Sequence, residues 1–529
     1  MTVSCVVTSH EPPTDALRFY VSSETFSFHR QYSKMYTARL FAAKPCLLNA
    51  ACKTWNAISS DQDPLKLPVR TLNTLVTDER CVIIGTLYKE MRKKPSILRE
   101  LGSSEAMRSL LHEETEEVLG DISSKLFSAD DSIFLEDEMQ RISLNFDKHS
   151  DVHKISSNTL ITGVVVALLG FEPESDPGSF NVEDVLFMEP QPERPISPRP
   201  CSNRASPSNY AEFRTSGPWL ALVSGLEFIG TGPMKTGHAM ALNLLADWLR
   251  CFGDWSHGDA ADNGPGVVRL MILGDSIRTP GSRSNHSSLS QQARYLTRNT
   301  EADSVTAMTR LDSWLSSLPL GPGTTSTPAN GFLVDLLPGP SDPTSPFLPQ
   351  QPIHAAAFPI TMSKSGGAKD GGLYGRTNPF ICNLFNRTIL ATSGQGINDL
   401  IHYTDIEDPC DRMEATLLWG HLAPSCPDTL PGYPLSSDDR LLLRPNVNGD
   451  SISAEYPDIY VAGCQPGENA SWRRASLHWK NRSSKTGDGA LLIAVPRFSV
   501  SRKLVLVHLE TLECRVVQFD SSEIDDTED

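Results

Sequence analysis

The sequence predicts a protein of α/β plus β class: a small closed β-barrel on the N-terminal side, then two packed sheets with helices outside. Three observations carry that prediction. Short apolar runs with turn signals between them recur from residue 81 to 187, as in small barrels. From residue 219 to 337, strand and helix patterns alternate, the spacing of a parallel α/β sheet. From residue 380 to 519 further strands follow; those after 459 succeed one another without helices and are expected to be antiparallel.

Residues 1–22 are expected to be disordered. From Phe26 to Phe41, aromatic and aliphatic residues recur at helical spacing, which predicts an amphipathic helix stopped by Pro45. Residues 81–88 form a strand. Residues 89–101 are basic and helical after Pro95, and residues 103–127 hold a charged helix whose Glu113-Glu114-Thr115-Glu116-Glu117 run is a solvated face. Strands at 132–142, 160–171 and 180–187 complete the set, with Gly163 and Gly170 at bends or bulges. An OB-fold suits this size, and with its leading helix it takes residues 23–190. Residues 191–216 are rich in Pro, Ser and Arg and read as a linker.

The second domain takes residues 217–519. It starts with a strand at 219–224, a helix at 238–252 with Leu242, Leu245, Ala246 and Leu249 on one face, and a strand at 267–273. A largely helical stretch over 290–318 and a strand at 332–337 follow. The run Val267-Val268-Arg269-Leu270-Met271-Ile272-Leu273 is bounded by Gly264-Pro265-Gly266 and by Gly274, so it reads as a strand buried on both faces. It ends in Gly274-Asp275. Ligands of open α/β sheets sit beyond the carboxyl ends of the strands, so this is where chemistry is expected. Later strands are expected at 380–385, 388–392, 459–462, 490–496, 504–509 and 514–519, with helices at 397–403 and 412–421. Residues 520–529 are an acidic tail, expected to be disordered.

The chain has 529 residues and a formal charge of −17, which disfavours coating nucleic acid by itself. Its 11 cysteines include no Cys-x-x-Cys pair. That fits reduced thiols in the cytosol or nucleus and disfavours a zinc cluster. The most apolar stretch, 160–171, has about 12 residues where a membrane span needs about 20, so no membrane partner is expected. Trp472-Arg473-Arg474 through His478-Trp479-Lys480-Asn481-Arg482 and Lys485 interleave basic and aromatic residues and are a candidate nucleic-acid contact. A solvated loop is about three times the better reading in so acidic a chain. A free-standing single-strand binder would need a basic, stacking groove, whereas the barrel strands carry Glu136, Asp137, Glu138, Glu183 and Asp184.

The second domain, with Gly-Asp after its second strand, resembles the calcineurin-like metallophosphoesterases, whose two metal ions about 3.5–4 Å apart activate a water and clamp the phosphate. That family carries Asp-x-His after the first strand, Gly-Asp-x-x-Asp after the second, Gly-Asn-His-Asp/Glu after the third and Gly-His-x-His near the end. Here the corresponding places hold Ser224-Gly225-Leu226, Gly274-Asp275-Ser276-Ile277-Arg278, Pro338-Gly339-Pro340-Ser341-Asp342 and Ala462-Gly463-Cys464-Gln465-Pro466. The vestigial metal positions are therefore Ser224, Asp275, Asp342, Gly463 and Cys464. Only Asp275 and Asp342 keep a carboxylate, from a set of about seven ligands. A site this sparse binds hard divalent ions weakly, so no catalytic residue, metal or cofactor is expected. His421, a lone histidine at a helix end, is expected to be structural.

An OB-fold followed by a degenerate phosphoesterase domain is the plan of the B-subunits of replicative DNA polymerases. The local strings Phe26-Ser27 to Gln31-Tyr32, Pro95-Ser96-Ile97-Leu98-Arg99-Glu100, Leu135 to Ile142, Leu348-Pro349-Gln350-Gln351-Pro352, Thr392-Ser393-Gly394-Gln395 and Cys426-Pro427-Asp428-Thr429-Leu430 resemble the small-subunit family of DNA polymerase delta. The resemblance runs from about residue 24 to 519 and departs in length near 103–130, 320–330 and 466–488. It implies a non-catalytic nuclear subunit. Its implied partners are the cysteine-rich C-terminal domain of the catalytic subunit and the third, clamp-linking subunit, with DNA touched indirectly or weakly. Sharing with a translesion polymerase is compatible with it. The competing reading is a metal-dependent phosphodiesterase or nuclease retaining Asp275 and Asp342.

Overall fold

The computed structural model describes residues 18–22, 24, 27–29, 31–58, 67–94, 125–128, 130–146, 157–190, 196–198, 218–230, 234–253, 266–278, 298–321, 331–364, 372–435, 438–443, 456–476 and 488–519. Residues 95–124, nearly all of the helices expected over 95–127, lie outside them, as do most of the 191–216 linker and the acidic tail; residues 125–127 are described and are not helical. Helices among the described residues are α1 (Ser33–Trp55), α2 (Thr236–Gly253), α3 (Arg298–Ser316), α4 (Pro359–Lys364), α5 (Gln395–Tyr403), α6 (Pro409–Trp419) and α7 (Phe498–Ser501).

Contacts divide the chain into two compact units, neither continuous in sequence. The N-terminal unit is Phe26–Gln191 with Gly396–Glu455; the C-terminal unit is Met1–Thr25, Pro192–Gln395 and Tyr456–Asp529. The contacts thus cut the chain differently from the expected division at 191–216. Most of α5, all of α6 and the segment after them, expected inside 217–519, cluster with the first domain.

The N-terminal unit holds strands β1 (Ala57–Ile58), β2 (Leu67–Arg70), β3 (Cys81–Glu90), β4 (Ser132–Glu136), β5 (Arg141–Phe146), β6 (Val165–Phe171) and β7 (Ser179–Leu186). They pair in the order β1-β2-β3-β4-β5-β7-β6, and β3 also pairs with β6. Hydrogen bonds therefore run in a ring through β3, β4, β5, β7 and β6. The register between β6 and β7 shifts at Leu169/Gly170, a bulge where one was expected.

Helix α1 lays Leu40, Ala43, Leu47 and Ala51 against Val82, Ile84, Val165, Ala167, Leu169 and Leu186. Pro45 does not stop it, contrary to the expectation: the helix continues to Trp55. The proline withholds the amide that would reach the fourth preceding carbonyl, that of the outward-facing Phe41, and its ring crowds the same carbonyl. Its cost is offset by the apolar stripe continuing on both sides, each fully buried leucine contributing about 1.5–3 kcal/mol.

Arg39 is the polar anchor of this unit. Its Nε donates to Asp439 Oδ2 at 2.6 Å, Nη1 to the carbonyls of Gly163 and Pro424, and Nη2 to that of Cys426. Gly163 sits at φ +93°, and a Cβ there would lie 2.0 Å from the Pro424 oxygen. His421 has the structural role expected of it: Nδ1 accepts from Ala423 N, leaving Nε2 to donate to Asp439 Oδ2 at 2.9 Å. Burial alone would raise the Asp439 carboxyl; Arg39 and then His421 overturn that and hold it well below the usual carboxylate range.

In the C-terminal unit, strands β8 (Trp219–Val223), β9 (Phe228–Ile229), β10 (Val267–Leu273), β11 (Ile277–Arg278), β12 (Leu333–Leu337) and β13 (Leu373–Gly375) precede β14 (Phe380–Leu384) and β15 (Arg387–Thr392). They are followed by β16 (Ile459–Gln465), β17 (Ser471–Arg474), β18 (Leu491–Pro496), β19 (Lys503–His508) and β20 (Cys514–Gln518). One sheet has the order β13-β12-β10-β8-β19-β20, another β14-β15-β16-β18-β17, and β9 pairs with β11. Strands β8, β10, β12 and β13 are parallel, as expected from the alternating pattern. One face of the first sheet is covered by Leu242, Leu245 and Leu249 of α2 and Leu311, Trp314 and Leu315 of α3. The two sheets touch through β10 and β16 and through β8 and β18. Leu270, Met271, Ile272 and Leu273 are all fully buried, so β10 is enclosed on both faces over that length.

The final strands are not all antiparallel, which corrects the expectation. β16 runs parallel to both β15 and β18. Ser471–Arg474, read from the sequence as part of a loop, forms strand β17 along the outer edge of β18. β18 then returns between β17 and β16, so it takes the direction of β16. Residues 18–22 also depart from the expected disorder: Phe19 is fully buried, and Gln351 bonds its carbonyl and the Val21 amide.

Candidate functional site

Five loops of the C-terminal unit converge where the sequence placed its candidate residues. Ser224 ends β8, Asp275 follows β10, Asp342 follows β12, Gly463 and Cys464 lie in β16, and Arg497 follows β18. The turn after β10 is tight because Gly274 and Asp275 both adopt positive φ, +81° and +50°. The loops interlock: Gly225 N donates to Gly274 O, Glu227 N to Asp275 O, and Cys464 N to Ser224 Oγ. Ser224 Oγ in turn donates toward the carbonyls of Val495 and Pro496. A Cβ on Gly463 would lie 2.5 Å from Leu273, so this strand crosses the end of β10 in contact.

All five predicted positions are therefore brought together, and each is already committed. Asp342 is buried; Oδ1 accepts from the amides of Ser276 and Ile277, and Oδ2 from that of Gly339. Burial, and then the Asp275 charge, push its pKa up to about 7 against those three amide bonds. Asp275 Oδ1 accepts from Ser341 N and Oγ. Cys464 is buried, and burial and then Asp275 push its thiol well above its usual range. Its Sγ donates toward the carbonyls of Leu273 and Gly274, 3.6 Å and 3.7 Å away.

The residue that sequence reasoning missed is Arg497. Its Nη1 lies 2.6 Å from Asp275 Oδ2 and 3.0 Å from Glu227 Oε1. Burial disfavours its charge, but the carboxylates of Asp275 and Glu227 outweigh that and raise the guanidinium above its ordinary value. The backbone just after Arg497 is pinned, since the amides of Phe498 and Ser499 donate to the carbonyls of Ser224 and Gly225. Gly225 is required there: at φ +60° its Cβ position would fall 2.9 Å from Arg497 Cβ and Cγ.

These residues do not fit a two-metal centre. Asp275 faces a guanidinium on one oxygen and a serine on the other, and Asp342 faces amides on both. Among the described residues no three His, Cys, Asp or Glu side chains are grouped to hold a metal ion. Beside the loop after β12, Gln350 Nε2 donates to the Gly339 carbonyl, and Asn378 joins Gln350, Ser393 and Gln395 in an uncharged network. The other candidate, the basic and aromatic stretch from residue 472, is only partly described. Trp472 is half exposed on β17, Arg474 donates to the Ile196 carbonyl, and residues 477–487 lie outside the described residues.

Comparison with known proteins agrees with this organisation. Residues 31–185 match the family model of the DNA polymerase delta subunit OB-fold domain. Residues 220–469 match that of the B-subunit of DNA polymerases alpha and epsilon. A Drosophila melanogaster protein named DNA polymerase delta subunit 2 is 32% identical over 93% of this chain and 94% of its own. The DNA polymerase delta small subunit of Arabidopsis thaliana is 30% identical over 95% of this chain and 94% of its own. That of Saccharomyces cerevisiae is 27% identical over 93% and 89%. The first domain is thus an OB-fold domain, and identity of this level over nearly the whole length means that the chain belongs to the DNA polymerase delta small-subunit family, the accessory subunits of that polymerase complex.

Proposed function

We propose that this chain is a non-catalytic scaffold of its polymerase complex, with a C-terminal unit that is a calcineurin-like phosphoesterase sandwich converted from catalysis to assembly. The five-strand ring of the N-terminal unit is then the OB barrel. The C-terminal unit holds the C-terminal domain of the catalytic subunit, and the barrel holds the third, clamp-linking subunit. The complex acts in the nucleus in replication and repair, with DNA reaching this subunit indirectly or weakly. A translesion polymerase is a further partner compatible with the same surface.

The observation that carries the loss of catalysis is the Arg497 guanidinium between Asp275 and Glu227. A phosphoesterase of this kind needs a pair of cations that polarise the phosphoryl oxygens and a water. Here a fixed organic cation, which cannot ionise a water, faces the carboxylate. The test is nuclease and phosphodiesterase assay of the purified full chain with manganese, beside Asp275→Ala. We expect background rates from both proteins. Cleavage by the parent chain that disappears in Asp275→Ala would restore the enzyme reading. Co-purification of the full chain with the catalytic subunit tests assembly; a complex unaffected by omission of this chain would remove the scaffold reading.

A further inference from the structure

Resting on that reading of the site, we infer that Arg497 is a tethered replacement for a lost cation, and that removing its charge uncovers a divalent-cation site on Asp275 and Glu227. One guanidinium nitrogen contacts two carboxylates from loops that follow different strands, at 2.6 Å and 3.0 Å. That is what a bridging cation does, and it differs from the paired fork by which arginine usually grips one carboxylate. Both carboxylate residues are almost fully buried, at 3% and 5% exposure. Buried carboxylates need a counter-charge, and the Arg497 guanidinium lies against both of these.

The chain is built to deliver that charge. Gly225 leaves room for the Arg497 side chain, and the two amide bonds from Phe498 and Ser499 pin the backbone behind it. Because the tether is covalent, an ion from solution has to displace a charge that never leaves. Without it, two carboxylates remain around a gap that the Arg497 side chain, 30% exposed, connects to solvent. An oxygen-only set completed by water suits hard divalent ions such as Mn²⁺. Asp342 stays outside the set, its oxygens held by three amides.

The experiment uses the full-length chain as the parent, Arg497→Ala, Arg497→Gln, Arg497→Lys and Arg497→Ala/Asp275→Asn. Mn²⁺ binding is read from the resonance of free Mn²⁺, and the thermal midpoint is followed against Mn²⁺ concentration. The parent and Arg497→Lys should show no saturable site at millimolar metal. Arg497→Ala should bind one ion at least about tenfold more tightly than the parent, and its midpoint should rise with Mn²⁺. The double variant should lose both effects. Arg497→Gln keeps most of the side-chain volume and serves if Arg497→Ala does not fold. Identical Mn²⁺ uptake by the parent and the neutral variants, or a site that survives Asp275→Asn, would overturn the inference. With an inactive parent chain, that outcome sinks the latent site alone; a parent that cleaves with manganese sinks the reading beneath it.

Discussion

Arg39 and Arg497 each join a buried carboxylate to chain far away in sequence, and they do it in opposite ways. Arg39 is about 1% exposed and uses all three nitrogens, one on Asp439 and the others on three carbonyls. Arg497 is 30% exposed and uses one nitrogen on two carboxylates. The first arrangement is saturated and closed, as a structural clasp should be. The second sets one cation against two carboxylates and keeps a side open to water. An arginine beside an aspartate is therefore not one kind of object: the share of its donors in use and its exposure separate a closed clasp from an open, shared contact.

Breaking the clasp should have the largest effect. Arg39→Met leaves the enclosed Asp439 carboxylate with His421 and the Leu441 amide but without its guanidinium, and loss of one partner from a buried pair costs about 3–5 kcal/mol. Chemical denaturation of the full chain should show that loss in the transition of the N-terminal unit. A change under about 1 kcal/mol would reduce the clasp to an ordinary contact.

Acidity should separate the two regions next. Asp342 titrates near 7 when folded and near 3.9 in an unfolded chain. Between those values the folded state holds a proton that the unfolded chain has released. The contribution is thus fully present below about pH 4 and lost as pH rises through 7, with a slope of up to about 1.4 kcal/mol per pH unit. Asp342→Asn should flatten that slope. Asp439 has the opposite sign: its folded value is depressed, so its contribution is present above the unfolded value and is lost only as pH falls below the ordinary carboxylate range. An unchanged profile in Asp342→Asn would mean that the three amides hold Asp342 ionised throughout.

The smallest effect is expected from Arg497→Ala without metal. Asp275 keeps its bonds from Ser341, and the arginine is nearly one-third exposed, so solvent screens the contact and about 1–2 kcal/mol is expected from thermal or chemical unfolding. A loss matching that of Arg39→Met would erase the distinction between the two centres.

Much of this was legible in the sequence. The run 267–273 announced its strand, its burial and the Gly-Asp turn, because a two-sided apolar strand has few alternatives. The five positions from Ser224 to Cys464 could be named because each follows a recognisable strand. Arg497 was missed although it follows an equally clear strand, 490–496: the family pattern used as a guide places no ligand there, and one arginine after a strand carries no signal of its own. Glu227 was hidden for a similar reason, since its contact depends on a positive-φ turn at position 227. Pro45 misled because a local rule was applied where packing on both sides decides the outcome. The parallel course of β18 was invisible because β17 was taken for a loop. The allegiance of 396–455 to the N-terminal unit depends on contacts such as Arg39 with Asp439, 400 residues apart, which no local pattern encodes.

That last feature bears on how the protein is made. A ribosome that has completed the first 395 residues has still not supplied Asp439 or His421, so Arg39 waits, its partners untranslated, through most of synthesis. Neither unit can finish before residue 455 emerges, and the C-terminal one waits for the last strands as well. The order of completion is thus fixed by the chain's path: the N-terminal unit has all its parts once residue 455 is made, the C-terminal unit only with its last strands.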